Sequence, residues 1–454
     1  MNDSSAPSTS SLPAVSLFSN CGAGDLGYAQ AGFSFEVLAE LERMRLDVAA
    51  LNHPNAEPVH GDLRDTWRAV VAAYRRRQGD VAPALLAACP PCQGMSSARS
   101  GRGRADDADA GSRDERNLLV QVIARVTHAL KPRIVVVENV TAFLSRQVRH
   151  PDTDVPVSAA VLLARSLRQR YVLYALTCDL AEYGIPQTRK RTFLTFVRRD
   201  VPSLEDLRRH ARAPFPRPTH ARDGGGQLGP TLRQALASLA APPLDARDPS
   251  RAGAGMHAVP VWKGRRYHLV ASIPPYGGQG AWANSVCPNC GDVEVQDSAA
   301  ACPHCAGPLA RPVVEENGTL RLVRGFRSSS YTRMRPDEPA ATVTTASGSM
   351  GSDKTLHPWE NRVLSPLECA HLQTFPPDFR WGEALERWGS TNVRAMIGEA
   401  VPPQFTRLHG EVLAGLLGAP STAPPIARSD RRVMRAHTAL KTAEAAFLAR
   451  RAQR

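Results

Sequence analysis

The stretch from Val15 to Glu40 constrains the fold more than any other part of the chain. It reads as a strand (Val15-Ser-Leu-Phe18), a glycine-bearing turn (Ser19-Asn-Cys-Gly-Ala-Gly-Asp-Leu-Gly27), a helix from Tyr28 to Gly32, and a strand from Phe35 to Glu40. Small residues in such a turn let the backbone approach a ligand, and an acid ending the second strand suits ribose hydroxyls. Glu40 holds that position, and Gly61-Asp62 supplies a further acid at the end of a third strand. The pattern predicts a nucleotide-binding βαβ unit.

The alternation continues. The apolar run Val81 to Ala88 is followed by a helix around Leu118 to Leu130, a strand Arg133 to Val137, a helix around Ser158 to Arg170, and strands at Tyr171 to Thr177 and Thr192 to Val197. Strands alternating with helices predict an α/β fold with a mostly parallel, Rossmann-like sheet. The segment Met95 to Arg116 interrupts it with Arg99, Arg102 and Arg104 among glycines, then Asp106, Asp107 and Asp109, and is too polar to enter a core. It reads as a mobile loop or a disordered insertion.

After Val197 the periodicity dissolves into Pro- and Gly-rich sequence and returns near Arg362. This predicts a disordered N-terminus at 1–12, a main domain at 13–199, an inserted domain at 200–355, a return at 356–418, and a linker with a basic tail at 419–454. The tail has helical Ala/Leu spacing and reads either as a solvated helix or as a phosphate binder.

Charge bounds the partner. A formal net charge of +13 and a pI near 9.7 point to a polyanion, most economically nucleic acid. The bias toward arginine over lysine carries less, because abundant Ala and Pro suggest a base-composition effect. No stretch reaches the roughly 18 apolar residues of a membrane helix, and Met1 to Leu12 lacks a signal core. A cytoplasmic protein with no membrane partner is expected. Nine cysteines, an odd number that includes two Cys-x-x-Cys pairs, favour metal binding over a disulfide framework in that compartment.

Two short motifs carry candidate chemistry. Pro91-Cys92-Gln93 follows the apolar run that ends at Ala88, and Glu138-Asn139-Val140 follows the run that ends at Val137. Prolines restrict the backbone around Cys92, and the carboxyl edge of a parallel sheet is where open α/β folds place their ligands. Taken alone, Cys92 reads more readily as a buried structural thiol. Beside a strand-end acid it reads as a nucleophile.

These residues resemble the DNA (cytosine-5-)-methyltransferase family of prokaryotic type, over most of residues 15 to 417. Phe18 to Gly27 is similar to the family's cofactor loop, Pro91-Cys-Gln93 to its nucleophile motif and Glu138-Asn-Val140 to its acid motif. Gln187-Thr-Arg-Lys-Arg191 matches its Gln-x-Arg-x-Arg motif. Arg362 to Pro376 resembles the segment re-entering the main domain, and Ile397-Gly-Glu-Ala-Val-Pro-Pro403 the closing motif. The resemblance implies a class I S-adenosylmethionine-dependent methyltransferase fold with an inserted target-recognition domain, acting on double-stranded DNA.

The implied chemistry explains the residue types. Cytosine C5 is too weak a nucleophile to attack a methyl sulfonium, so a thiolate, Cys92, first adds to C6. Glu138 then stabilises or protonates N3, Arg191 donates to O2 and fixes Glu138, and Arg189 supports the loop or contacts phosphate. The base that removes the C5 proton is not identified. The target base must leave the duplex, and loop Met95 to Arg116 is placed to close over it.

For S-adenosylmethionine, the resemblance places Phe18 on the adenine, Asn20, Cys21, Gly22 and Gly24 around the methionine portion, Glu40 on the ribose and Asp62 on the adenine amino group. Leu63, Pro91, Leu118 and Val401 would line the pocket. Asn20 replaces the family's usual glycine and Glu399 its usual asparagine; Asn tolerates left-handed backbone, and Glu399 suits the cofactor's ammonium.

A second constellation, Cys287-Pro-Asn-Cys290 with Cys302-Pro-His-Cys305, has the spacing of a ribbon that offers four thiolates to a structural, tetrahedral zinc ion. It falls in the inserted domain, with a reducible disulfide pair as the other reading. Cys21, Cys89, Cys178 and Cys369 read as packing residues, Cys89 at most shaping the Cys92 loop. Tyr331 to Arg335 and Pro339 to Thr345 resemble the end of the recognition region. The expected protein is a monomer that methylates DNA in a restriction-modification or phage-defence setting, with a cognate nuclease as candidate partner. A tRNA methyltransferase of the same fold and a silent DNA-binding protein are the alternatives.

Overall fold

The computed structural model describes residues 12–91, 118–220, 229–284, 286–291, 299–324, 328–421 and 423–453. Cys92, the loop Met95 to Arg116 and residues 1–11 lie outside the described residues. The chain divides into two compact units. The first comprises residues to Asp179, Lys190–Pro218 and Val401–Arg454; the second comprises Leu180–Arg189 and Thr219–Ala400.

The first unit is built on seven strands: β1 (Leu12–Leu17), β2 (Phe33–Glu40), β3 (Glu57–His60), β4 (Leu85–Ala88), β5 (Ile134–Asn139), β6 (Tyr171–Asp179) and β7 (Lys190–Arg198). Their order is β3-β2-β1-β4-β5-β7-β6. The first five are parallel, and β7 runs antiparallel to both of its neighbours. Ile134-Val-Val-Val-Glu-Asn139 is buried at every position. Its apolar part, Ile134 to Val137, is what a central strand covered on both faces requires.

Helices α1 (Ala23–Gln30), α2 (Arg43–Asn52), α3 (Leu63–Gln78), α4 (Val120–Leu130) and α5 (Ala159–Leu167) connect the strands. Along β7, Leu194 and Phe196 join the apolar cluster formed with α3, α4 and α5. Phe193, of opposite parity, stacks at 4.4 Å on Phe405 of helix α6 (Pro403–Leu416). The sheet thus has a helix layer on each face.

Two expectations change. The run from Val81 yields a strand only from Leu85, because Pro83 lacks an N–H for the ladder and Val81 is exposed. Helix α1 begins inside the glycine turn at Ala23 rather than at Tyr28, since Gly22 (φ 77°) reverses the chain and its carbonyl accepts from Leu26 N–H at 3.1 Å. The basic tail forms the expected helix, exposed along one side but packed along the other. Residues 425–427 pair with 212–216, and α7 (Arg431–Ala452) buries Val433, Ala436, Leu440 and Phe447. Arg165 of α5 pairs with Glu444 at 2.9 Å, and its guanidinium lies over Phe447 at 5.5 Å.

The second unit has little regular structure. Helices Leu232–Leu239 and Pro366–Leu372 each open with a capping box, Thr231 with Gln234 and Ser365 with Glu368. Strands Val313–Glu316 and Thr319–Leu322 form a hairpin around Asn317-Gly318, both left-handed as a tight hairpin turn demands. Residues 356–400 belong to this unit rather than returning to the first: Leu356 and Val363 share a core with Leu244, Trp262 and Val270. Among the described residues no helix is long and apolar enough to cross a membrane.

Candidate active site

The sheet reverses its winding between β1 and β4, and the turn of residues 18–24 leaves β1 at that edge. Phe18 (φ 58°), Asn20 (φ 49°) and Gly22 (φ 77°) alternate through the left-handed region. A phenylalanine there is strained, and such strain collects at ligand sites. A Cβ on Gly22 would come within 2.9 Å of the His53 ring, whose Nε2 lies 3.0 Å from the Gly22 carbonyl and donates to it. Only glycine fits that position.

The turn is tied to β2 through polar contacts. Ser19 N–H donates to Ala39 O at 3.0 Å, and Ser19 Oγ donates to Ser16 Oγ at 2.9 Å, which in turn donates to Asp25 Oδ2 at 2.8 Å. Burial pushes the Asp25 carboxyl up to about 7. Glu40 accepts from Asn20 N–H at 2.8 Å and from Glu42 N–H at 3.1 Å, so its carboxylate faces the turn. Asp62 caps α3 and pairs with Arg64 at 2.7 Å; that hydrogen bond holds its carboxyl below the ordinary range.

Around these acids, Leu63 is buried in the core with Leu118 against it, and Val401 lies 3.3 Å from where a Cβ on Gly24 would sit. Cys21 is fully buried and burial pushes its thiol up to about 12, which keeps it neutral. Glu399 and Arg189 belong to the second unit. There, Arg189 is almost wholly buried and donates to the carbonyls of Val343, Gly398 and Ala400 at 2.9 to 3.1 Å. Of the two roles expected of it, supporting the loop or contacting phosphate, a guanidinium engaged by backbone carbonyls fits the first.

The acid sits two strands from the turn. Glu138, near the end of β5, lies beside Arg191 at the start of β7, with Arg191 Nε 2.9 Å from Oε1; both side chains are largely buried. Its other oxygen, Oε2, accepts from the Cys89 thiol at 2.8 Å, and Asn139 Nδ2 donates to Pro90 O at 2.9 Å. Residues 89–90 are thereby fastened to the acid, two residues before Cys92. Cys89 is thus more than a packing residue, since its thiol donates to Glu138. The doubled cysteine of Cys-Pro-Pro-Cys was the available signal for this.

In the second unit the four ribbon thiols lie within 4.8 Å of one another, with Cys287 to Cys305 and Cys290 to Cys302 at 3.6 Å. Disulfide sulfurs would be about 2.05 Å apart, whereas thiolates on one tetrahedral zinc at about 2.3 Å stand about 3.8 Å apart. Asn289 N–H and His304 N–H donate to Cys287 and Cys302 Sγ at 3.4 Å. Donors from Cys290 and Asn289 pull the Cys287 thiol down to about 6. The geometry is that of a metal knuckle pair, and His304 contributes backbone only.

Comparison with known proteins places this geometry. A family described as C-5 cytosine-specific DNA methylase matches residues 12–413. Type II methyltransferase M1.HgaI of Avibacterium volantium is 26% identical over 404 residues, 86% of this chain and 94% of that protein. M.AgeI of Thalassovita gelatinovora is 26% identical over 459 residues, covering 88% and 99%. Among solved structures, one assigned as a prophage-encoded DNA modification methyltransferase (E. coli) superposes with a TM-score of 0.54 at 20% identity, covering 90% of this chain and all of that one. The Entamoeba histolytica methyltransferase EhMeth follows at 0.51 and 11%, covering 89% and 98%. The fold is the Rossmann-like one of S-adenosylmethionine-dependent methyltransferases. With the family matched from β1 to α6, the chain belongs to the C-5 cytosine-specific DNA methylase family and is a DNA cytosine-5 methyltransferase.

Proposed function

We propose that the methyl group is transferred through a covalent adduct of Cys92 with cytosine C6, in a Type II modification setting opposite a cognate nuclease. The observation that carries this is the pairing of Glu138 with Arg191, and of Cys89 with Glu138, at the edge from which Cys92 departs. The Cys92 thiolate donates its electron pair to C6 of the flipped base, and the C5–C6 π electrons delocalise toward N3. Glu138, held by Arg191, supplies the proton or the stabilising hydrogen bond there. C5 is thereby made nucleophilic toward the methyl group that S-adenosylmethionine would supply, the C–S bonding electrons leaving with its sulfur. Loss of the C5 proton restores the double bond and expels Cys92 as thiolate.

S-adenosylmethionine supplies an electrophilic methyl group. The donor set fits it: Glu40 faces the turn for vicinal hydroxyls, Asp62 stands at the end of β3 for an amino group, and Phe18, Leu63, Pro91, Leu118 and Val401 supply apolar lining. Asn20, Cys21, Gly22 and Gly24 would surround its methionine portion. The ribbon thiols Cys287, Cys290, Cys302 and Cys305 would hold a zinc ion, and four thiolates are the donor set of a structural site rather than a catalytic one. Labelled S-adenosylmethionine incubated with unmethylated plasmid DNA, and separately with tRNA, tests the reading. Label is expected in DNA only and lost with Cys92→Ser; label in DNA that survives that substitution overturns the nucleophile.

A further inference from the structure

We propose that the basic surface at the amino edge of the sheet, built by Lys131, Arg133, Arg168, Arg170, Arg198 and Arg199, holds a second segment of duplex DNA, apart from the one that delivers the target base. The inference rests on the reading above in taking DNA as the substrate, and it concerns a face that the catalytic edge does not include. Three connections meet there. Residues 131–133 enter β5, residues 168–170 enter β6, and residues 198–200 leave β7, which runs antiparallel between those two strands.

Hydrogen bonds lock the three together. Arg198 N–H donates to Arg133 O and Arg199 N–H to Arg170 O, both at 2.9 Å, and Tyr171 Oη donates to Pro132 O at 2.9 Å. Two of the cations serve helix ends. The Arg199 guanidinium donates to Gln169 O at 3.1 Å and Arg168 O at 3.0 Å, just past α5, and that of Arg198 donates to Lys131 O, just past α4. Carbonyls at a helix end favour positive charge, which accounts for Arg198 and Arg199. It leaves Lys131, Arg168 and Arg170, all exposed, with no carboxylate paired to them among the described residues.

The charge is therefore uncompensated. Of the residues in these three connections six are cations and one, Asp200, is an acid, which pairs with Arg198 at 2.6 Å. Burial, together with the neighbouring Arg198 charge, pulls the Arg133 guanidinium below its ordinary value. Like charges held this close repel one another, and a polyanion relieves that repulsion.

The kind of polyanion follows from the other side chains. Pro132, Tyr171 and Val201 are buried, so these connections present neither the aromatic platform on which single strands stack nor the apolar centre of a protein interface. They present charge, the means of sequence-independent contact with duplex phosphates. That duplex is not the one at the catalytic edge. Glu138 stands five residues beyond Arg133, roughly 17 Å along β5 at about 3.3 Å per residue, toward the opposite edge of the sheet. Sharp bending of a short duplex is costly, and one reaching both edges would have to double back on itself. A separate duplex, or a distant stretch of the same long DNA, meets no such cost, and holding it lets the enzyme pass between stretches without release.

The test uses the full chain and Lys131→Glu/Arg168→Glu/Arg170→Glu, three exposed side chains that make no hydrogen bond among the described residues. Each protein is loaded on bead-bound plasmid in excess and offered a fluorescein-labelled short duplex of random sequence. Capture is read against salt concentration, beside thermal melting and methylation of the plasmid. Expected is capture by wild type and its loss in the variant, with equal melting and a salt slope of DNA binding lower by about 3, about one for each cation removed. If the variant melts early, the corresponding triple glutamine variant replaces it. A variant that melts and captures as wild type does, or a wild type that captures no duplex, overturns the proposal. Capture of polyglutamate in place of duplex would assign the surface to an acidic protein and overturn it as well. A wild type that captures the duplex yet methylates no plasmid would instead sink the methyltransferase reading and leave this surface standing.

Discussion

His409 offers a pH test of how the closing segment holds the cofactor turn. It is fully buried on α6; its Nε2 lies 3.0 Å from Pro214 O and its Nδ1 3.1 Å from Tyr28 Oη. Facing a carbonyl, Nε2 must carry the proton, so Nδ1 accepts from the tyrosine. Burial pulls its pKa from 6.5 down to about 3. The folded value lies below the unfolded one, so the unfolded chain takes up the proton first. Stability from this group is therefore complete above about pH 6.5 and falls as pH drops toward 3. Integrating over that difference from pH 7 to pH 5 yields a loss of about 2 kcal/mol.

Asp25 works the other way. Its folded value of about 7 lies above the unfolded 3.8, so its contribution is lost as pH rises between them. In wild type the two slopes largely cancel, and the comparison with His409→Gln separates them because Asp25 is common to both. Urea unfolding of both proteins at pH 7 and pH 5 should show wild type losing about 2 kcal/mol more than the variant. Equal losses would refute the claim that burial keeps His409 neutral. The same helix reaches the turn through Thr406 Oγ1, which donates to Gly24 O at 2.7 Å. Wild-type affinity for S-adenosylmethionine should therefore fall faster with acid than the variant's.

Gly27→Ala tests that helix contact sterically: the new Cβ would stand 2.1 Å from Thr406 Oγ1 and 2.2 Å from Pro403 O. Overpacking of about 1–3 kcal/mol, read as a lower urea midpoint with weaker cofactor binding, is expected; a wild-type midpoint would show that α6 is not packed on α1. For the ribbon, mass spectrometry under non-denaturing conditions should find zinc in wild type and none in Cys302→Ser. Retention of metal by that variant would show that Cys302 is not a ligand.

What was legible in the sequence depended on how local the physics is. The glycine turn, Glu40, Glu138 and the paired Cys-x-x-Cys knuckles each need only a short spacing, because one strand end or one turn fixes their geometry. Arg189 was left open between two readings for the opposite reason. Its partners, Val343, Gly398 and Ala400, are more than a hundred residues away in sequence, and nothing near it distinguishes an arginine for carbonyls from one for phosphate. The same holds for residues 356–400, placed in the second unit by Leu356 and Val363 entering a core with Trp262, and for α7, whose Ala/Leu spacing marks the helix while the core that takes up Ala436, Leu440 and Phe447 is built by distant residues.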